Sequence, residues 1–208
     1  MKPLIVANWK CNPITLKEAE ALFNAVKNAG AIICPPFIYL SVLKANGAQD
    51  LFWEDSGPYT GEVSALMLKN MGVKYVIIGH SERRKHFKET NEMIEKKLQA
   101  ALRVGLKPIL CVDKISQIPK DFKNIIIAYE LPSAIGTGKA CSLERARKMR
   151  LGIQKIVGAK TPILYGASVN SQNAQDFIKK AGFQGLLVGG ASLNPKEFID
   201  IVKNVCYC

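Results

Sequence analysis

Short apolar runs alternate with amphipathic segments along this chain, and that alternation restricts the fold more than any other feature of the sequence. Eight of these runs have the composition of buried strands: residues 4–7, 31–34, 48–49, 74–78, 106–112, 125–127, 162–165 and 185–188. Helical patterns lie between most of them. This order predicts a parallel sheet, and eight units predict an α/β fold: a single, small (β/α)8 barrel with no domain boundary within residues 1–208.

Capping signals mark the ends of several predicted helices. Thr15 and Glu18 have the spacing of a capping box, and Gly30 follows the last residue of the same apolar stripe. Asn194-Pro195-Lys196-Glu197 predicts the start of the final helix, with proline at its first position. In contrast, residues 51–61 are rich in Gly, Pro and Ser and predict a long loop, which in a compact domain usually has a function.

The fifth connection is short. Only about a dozen residues separate the strand that ends at Val112 from the one that begins at Ile125, which is close to the minimum length for a parallel crossover. We therefore expect a barrel with a shortened fifth β-α connection and no full helix there.

Composition narrows the class of protein. The chain has 208 residues, of which 48% are hydrophobic and 22% charged, as expected for one globular domain. The net charge of +12 could attract either nucleic acid or small anionic metabolites. Because the lysines are spread along the chain and form no basic block interleaved with aromatic residues, we favour metabolites and predict no nucleic-acid partner. No bilayer-spanning run or targeting segment is evident, which favours the cytoplasm and predicts no membrane partner.

Six cysteines occur without a C-x-x-C pair. Cys34 and Cys111 lie in apolar strand-like runs and are predicted to be buried free thiols. Cys206 and Cys208 lie on a tail without a nearby histidine, so we expect no metal site there.

Several polar groups stand at the carboxyl ends of predicted strands: Asn8, Lys10, His80, Glu130, Ser168, Gly189 and Gly190. In a closed barrel these ends meet on one face, where barrel enzymes have their active sites. Each group also has an ordinary interpretation, such as a surface lysine, a hydrogen-bonded histidine or a tight turn. Their convergence favours a site.

The types of residue suggest a reaction. Glu130 could act as a general base, with its pKa raised if the Gly-rich loop through Lys139 closes over it and excludes water. His80 begins a helical turn, whose dipole would lower the imidazole pKa and keep it neutral. Gly189 and Gly190 precede a short helix that could bind a phosphate. Together they predict proton abstraction beside a carbonyl in a small phosphorylated substrate.

Five stretches occur in the order found in the triosephosphate isomerase family, which the chain resembles over essentially its whole length. They are Ala7-Asn8-Trp9-Lys10, Tyr59-Thr60-Gly61-Glu62, Gly79-His80-Ser81-Glu82-Arg83-Arg84, Ala134-Ile135-Gly136-Thr137-Gly138-Lys139, and Ser168-Val169-Asn170 with Gly189-Gly190-Ala191-Ser192. The resemblance implies a TIM barrel that interconverts dihydroxyacetone phosphate and D-glyceraldehyde 3-phosphate through an enediol(ate), in glycolysis and gluconeogenesis.

The resemblance also implies roles for the catalytic residues. Glu130 would be the base, and neutral His80 would move protons between the substrate oxygens. Lys10 would hold the anionic substrate and stabilise the enediolate, while Asn8 would orient the substrate. Glu82 would act behind them as the partner of Lys10.

The implied phosphate ligands are backbone amides of Gly136, Ser168, Gly189 and Gly190. Tyr165 and Ser168 would hold the lid closed. No metal or organic cofactor is implied.

The family is typically dimeric, so the resemblance implies a homodimer. The loop Leu51–Gly61 would insert into the partner, with Thr60 placed to reach across and Cys11 near the interface. A tetramer is an alternative, because the short fifth connection would expose an apolar patch on the side of the barrel.

The chain departs from the family pattern at three places. Glu130 is followed by Leu131-Pro132-Ser133, which lacks the aromatic residue usual at the lid hinge. Cys111-Val112-Asp113-Lys114 replaces a Cys-x-Gly-Glu stretch, and Ala167 stands where glycine is common. These departures leave two alternatives to an active isomerase: a sugar-phosphate-binding barrel of the same family with little or no turnover, or another phosphate-binding barrel enzyme.

Overall fold

Eight parallel strands form one sheet in this computed structural model, which describes residues 2–120, 122–131 and 140–206. The order in the sheet is β2-β1-β8-β7-β6-β5-β4-β3. The strands are β1 (Leu4–Asn8), β2 (Ile32–Cys34), β3 (Gly47–Ala48), β4 (Tyr75–Ile78), β5 (Lys107–Val112), β6 (Ile126–Tyr129), β7 (Ile163–Tyr165) and β8 (Gly185–Val188). The predicted (β/α)8 TIM barrel is confirmed.

Eight α-helices surround the strands in the described ranges. They are α1 (Leu16–Val26), α2 (Phe37–Leu43), α3 (Ala65–Asn70), α4 (Ser81–His86), α5 (Asn91–Arg103), α6 (Leu143–Val157), α7 (Ala174–Lys179) and α8 (Pro195–Cys206). The predicted capping box of α1 is formed, since Thr15 and Glu18 exchange side-chain and backbone hydrogen bonds. None of these helices has the length and apolarity that a bilayer crossing requires.

Side chains rather than a ladder join β2 to β3, the two ends of the sheet order. Asn46 Oδ1 accepts from the Ile33 N–H at 3.0 Å, and Gln49 Nε2 donates to the Cys34 carbonyl at 2.8 Å. Gly47 lets the strands approach, because a Cβ at this position would lie 2.5 Å from Cys34 Sγ. Strand β3 is therefore only two residues long, and begins one residue earlier than predicted.

The strands separate two apolar layers. Residues that point into the barrel, such as Val6, Ile77 and Leu164, form a small inner cluster, and a larger cluster fills the space between strands and helices. Cys34 and Cys111 are buried in the inner cluster as free thiols, as predicted. Cys206 is half-buried on α8, and Cys208 lies outside the described residues.

The fifth connection carries only a 3₁₀ turn at Ile115–Gln117 within its described residues, which confirms that it is shortened. The segment itself covers part of the barrel's side. Ile118 and Ile125 are buried, and Phe122 packs against the core. Ile115 lies against α6, where Gly152 gives it room, since a Cβ there would meet Ile115 Cδ1 at 2.8 Å. Four apolar side chains thus replace a helix.

Gly185 is required for the pairing of β8 with its neighbours. A Cβ at this position would lie 2.1 Å from the Leu4 carbonyl oxygen and 2.6 Å from Leu164 Cδ2. We expect Gly185→Ala to lower the free energy of unfolding by about 2–3 kcal/mol, because the backbone of β1 must move. Gly152→Ala is the matched control, since its new methyl would meet only the flexible end of a side chain. Urea unfolding that gives equal losses for the two variants would contradict this explanation.

Candidate active site

A cavity of about 390 Å³ opens at the carboxyl ends of the strands. Seven of the sequence-predicted site residues line it: Asn8, Lys10, His80, Glu130, Ser168, Gly189 and Gly190. They come from the ends of β1, β4, β6, β7 and β8, so the barrel brings together residues that are up to 182 positions apart, from 8 to 190. Gly136 lies outside the described residues.

The end of β1 presents Lys10 in an unusual backbone conformation. Its φ of 55° lies in the left-handed region, which is rare for a lysine and typical of functional sites. The Asn8 Oδ1 accepts from the Lys10 N–H at 3.0 Å, and Gln49 donates to the Lys10 carbonyl at 2.9 Å. Both bonds hold Lys10 in this strained conformation. The side-chain oxygen of Asn8 therefore helps to orient Lys10.

The Lys10 ammonium forms an ion pair with Glu82. It also passes close to Gly189, because a Cβ there would lie 3.2 Å from Lys10 Cε. Glycine at this position therefore lets the cation reach the turn after β8. The positive charge of Lys10 thus lies between Glu82, just after β4, and Gly189, just after β8.

Glu130 and His80 are in direct contact. Glu130 is 2% exposed, and its Oε1 lies 3.0 Å from His80 Nε2. Its other oxygen accepts from the Ser81 N–H at 3.0 Å. His80 is the N-cap of α4, and its Nδ1 accepts from the Glu82 N–H at 3.2 Å. Because Nδ1 accepts, the neutral ring carries its proton on Nε2, which donates to Glu130.

This contact reverses the pKa directions expected from the sequence. Burial raises the pKa of Glu130, but His80 and the Ser81 N–H together lower it by more than burial raises it. The pKa of Glu130 therefore lies below its ordinary value. Burial lowers the pKa of His80, but the Glu130 carboxylate raises it above its ordinary value overall. The expectations took each group alone, whereas the fold places them side by side.

Replacing Glu130 should therefore lower the pKa of His80. In Glu130→Gln the carboxylate that raises this pKa is gone, while burial and the Glu82 N–H still disfavour the charged ring. An NMR titration of the ring signals measures the change, with the other histidine, His86, assigned by its own substitution. Glu82→Gln is the control: its carboxylate is 3.7 Å from Nδ1 and should cause a smaller decrease. An unchanged pKa in Glu130→Gln would contradict the contact.

The ends of β7 and β8 contribute the predicted phosphate side of the cavity. Ser168 lies just beyond β7, and Gly190 is exposed at the start of a 3₁₀ turn that ends at Leu193. Space around Gly190 is open, because a Cβ there would meet no atom within 4 Å. Ala167, which stands where glycine is common in the resembling family, is buried on the same side of the cavity.

Tyr165 lies outside the cavity, on the helix-facing side of β7. Its ring stacks on Phe177 with centroids 3.7 Å apart. Its hydroxyl accepts from the Cys141 N–H at 3.2 Å and lies 3.5 Å from Cys141 Sγ. Cys141 is the second described residue after the predicted lid, whose residues 132–139 lie outside the described ranges. Tyr165 is thus bound to the chain that leaves the lid.

Sequence reasoning missed two groups at the site. Ser81 holds Glu130 through its backbone N–H, which could have been anticipated because the first N–H groups of a helix have no partner within it. Gln49 holds the Lys10 carbonyl across 39 positions, and no local pattern indicates such a contact.

Comparison with known proteins gives a consistent match. A family model described as triosephosphate isomerase matches residues 3–120 and 113–205. Among curated proteins called triosephosphate isomerase, one from Synechococcus sp. (strain JA-3-3Ab) is 40% identical over 98% of this chain and 95% of its own length. One from Alkaliphilus oremlandii (strain OhILAs) is 39% identical over 97% of this chain and 99% of its own.

The match also locates the main departure. The two matched segments overlap at residues 113–120, which lie in the fifth connection. The alignment to the Synechococcus protein spans 244 positions, whereas this chain has 208 residues. The relatives are therefore longer, and the family pattern is interrupted where this barrel has only a 3₁₀ turn.

Proposed function

Because this chain belongs to the triosephosphate isomerase family, we propose that Glu130, His80, Lys10 and Asn8 perform its reaction in the cavity at the strand ends. The reaction interconverts dihydroxyacetone phosphate and D-glyceraldehyde 3-phosphate by proton transfer between neighbouring carbons. The observation that supports these roles best is the buried contact between the Glu130 carboxylate and His80 Nε2, in a cavity that also contains the Lys10 ammonium.

Glu130 is the proposed base. One carboxylate oxygen removes a proton from the carbon beside the carbonyl and returns it to the adjacent carbon, so one group serves both halves of the reaction. To do this, Glu130 must leave the Ser81 N–H and His80. Both are hydrogen-bond donors that a bound substrate can use in its place.

His80 and Lys10 stabilise the charge that develops on the substrate oxygens. When Glu130 leaves, the carboxylate that raises the pKa of His80 is gone, and burial favours the neutral ring. Nδ1 still accepts from the Glu82 N–H, so the single N–H of neutral His80 is on Nε2 and donates to a substrate oxygen in place of Glu130. Binding of substrate therefore exchanges one acceptor for another. Lys10 adds a fixed positive charge, held by Glu82 on one side and by the backbone bonds to Asn8 and Gln49 on the other.

The phosphate is proposed to bind to the backbone of Ser168, Gly189 and Gly190, with Gly136 from the lid. The support is that three of these residues line the same cavity as Glu130, and that Lys10 reaches Gly189. A phosphate there would leave the carbon atoms of a triose facing the carboxylate. We propose no metal or organic cofactor, because proton transfer needs none of their chemistry.

A homodimer is the proposed assembly. Several large apolar side chains are exposed: Ile14 (88%), Ile38 (75%), Phe87 (64%), Met67 (50%) and Tyr59 (40%), the last in the loop after β3. Exposed apolar area of this kind favours association. A tetramer is the alternative, because Ile115 in the fifth connection and Leu151 and Ile156 on α6, the helix that Ile115 contacts, are also exposed. Light scattering distinguishes the two.

We also propose that residues 1–208 form one domain and that the enzyme acts in the cytoplasm, on triose phosphates and without nucleic-acid or membrane partners. One continuous layer of core residues from β1 to α8 supports the single domain.

A coupled assay tests the function. Purified protein is given D-glyceraldehyde 3-phosphate or dihydroxyacetone phosphate, and formation of the other is followed. We expect turnover in both directions and competitive inhibition by inorganic phosphate. Phosphate binding without turnover would instead favour the alternative, a sugar-phosphate-binding barrel of the same family with little or no turnover. If the protein neither binds phosphate nor converts either triose phosphate, the proposed roles are wrong.

A further inference from the structure

Glu197 departs from the capping role that its sequence position predicts. Its N–H donates to Asn194 Oδ1 at 3.1 Å, which is half of a capping box. The other half is missing, because its carboxylate turns to a different loop. Glu197 Oε1 accepts from the Ser171 N–H at 2.6 Å, and Oε2 accepts from the Ser171 hydroxyl at 3.1 Å.

Ser171 is bound to α8 through all of its polar groups. Besides the two bonds to Glu197, its carbonyl accepts from Asn204 Nδ2 at 2.8 Å. Asn204 lies on α8, seven residues after Glu197 and thus two helical turns along the same side. Bonds to a carboxylate are the stronger kind, so Glu197 contributes the larger part of this attachment.

The same loop carries Ser168. Asn173 Nδ2 donates to the Ser168 carbonyl at 3.0 Å, and Asn173 Oδ1 accepts from the Asn170 N–H at 2.9 Å. These bonds join residues 168–173 into one hydrogen-bonded unit, and Glu197 attaches that unit to α8 through a charged group. Helix α8, in turn, follows directly on the turn that contains Gly189 and Gly190.

We propose that Glu197 is a positioning residue that holds the two halves of the phosphate site in register. One half is the Ser168 loop after β7, and the other is the Gly189-Gly190 turn after β8. The inference rests on the proposed phosphate site. It adds a residue that contacts no substrate and explains why this carboxylate forgoes its capping bond.

The test compares two substrates. Glu197→Gln keeps the shape of the side chain but removes its charge, so that both bonds to Ser171 become weaker neutral ones. Asp200→Asn is the matched control on α8, because Asp200 makes no hydrogen bond or ion pair with any described residue. Each variant is assayed with D-glyceraldehyde 3-phosphate and with D-glyceraldehyde, which lacks the phosphate, and the inhibition constant of inorganic phosphate is measured.

For Glu197→Gln we expect KM for the phosphorylated substrate and the inhibition constant of phosphate to rise about tenfold, as for loss of the charge assistance in these two bonds. Conversion of D-glyceraldehyde should stay at the wild-type rate, as should every value for Asp200→Asn. An unchanged inhibition constant would overturn the inference. So would an equal loss with both substrates, which indicates a merely structural residue.

Ser171→Ala is the second variant, for the case that Glu197→Gln does not fold. It removes one of the two bonds, and we expect a smaller rise of the same two constants. No rise would overturn the inference. If the wild-type protein is not inhibited by phosphate, the proposed phosphate site fails instead, so the two failures are distinguishable.

Discussion

Glu130→Gln lowers kcat by about 10³-fold or more, because the amide cannot accept the proton that the reaction moves. The effect on ligand affinity should be small. Gln has the length of Glu and its amide oxygen can still accept from the Ser81 N–H, so the wall of the cavity keeps its shape. The coupled isomerisation assay gives kcat, and inhibition by inorganic phosphate gives the affinity.

Glu130→Asp is the control for position. It keeps the carboxylate but withdraws it by one methylene, which is more than 1 Å. Displacement on this scale costs about 10²-fold in rate, so we expect activity between those of the wild type and Glu130→Gln. If Glu130→Gln retained the wild-type kcat, another group would be the base, and the contact with His80 would have no catalytic meaning.

The altered hinge makes this experiment informative. Leu131-Pro132-Ser133 lacks the aromatic residue that the family usually has, and an isomerase with a slow lid could be limited by lid motion rather than by proton transfer. The two Glu130 variants leave the hinge unchanged. A graded loss through Asp to Gln would show that the chemical step limits the rate in both variants.

The fold was predictable because its signals are local and repeated. Each apolar run and each cap lies within a few residues, and eight repetitions define a barrel even where one unit is weak. The predicted bounds of strand β3 were the least accurate. Asn46 and Gln49 join this strand to β2 through side-chain hydrogen bonds, which leave no periodic pattern in the sequence. The fifth connection was predictable for a different reason: a dozen residues are too few for a helix and a crossover.

The composition of the site was predictable, but its electrostatics were not. Strand ends converge in any parallel barrel, so the identity of the residues could be read from their order. The pKa directions depend on the contact between His80 and Glu130, which are 50 positions apart in the chain. The same holds for Glu197, whose spacing from Asn194 predicts a cap while its carboxylate binds Ser171, 26 positions earlier.

A cluster of charged residues, most of them buried, was missed altogether. Lys97 is 3% exposed, although the sequence gives no reason to bury a lysine. Its ammonium donates to both oxygens of Asp50 at 2.7 Å and to Glu89 Oε1 at 2.5 Å. Arg83 contacts the same two carboxylates from α4, the helix that begins at His80. This cluster joins Asp50, at the base of the proposed dimer loop, to α4.

Lys97→Met should be the most destabilising substitution considered for this chain. Burial raises the pKa of Asp50 to about 6 even with both cations present, and Glu89 Oε2 has no hydrogen-bond partner in the described residues. Removing Lys97 leaves two carboxylates with half-exposed Arg83 alone. We expect the free energy of unfolding to fall by about 3–5 kcal/mol, the range measured when one partner of a buried pair is lost. Urea unfolding at pH 7.5 and equal protein concentration measures it.

The pH dependence separates this cause from a loss of packing. Without Lys97 the pKa of Asp50 rises further above its unfolded value, and Glu89 loses the ammonium that helps to hold its pKa below the ordinary value. Both carboxylates of the folded variant therefore bind protons more tightly than those of the folded wild type. The penalty is therefore complete above the raised pKa values and diminishes as the pH falls toward 5. Lys96→Met, at the exposed neighbouring position, should cost less than about 1 kcal/mol and show no such dependence. A loss for Lys97→Met that is the same at pH 7.5 and pH 5.5 would mean that the lysine contributes through its apolar stem, and that the two carboxylates are neutralised by other means.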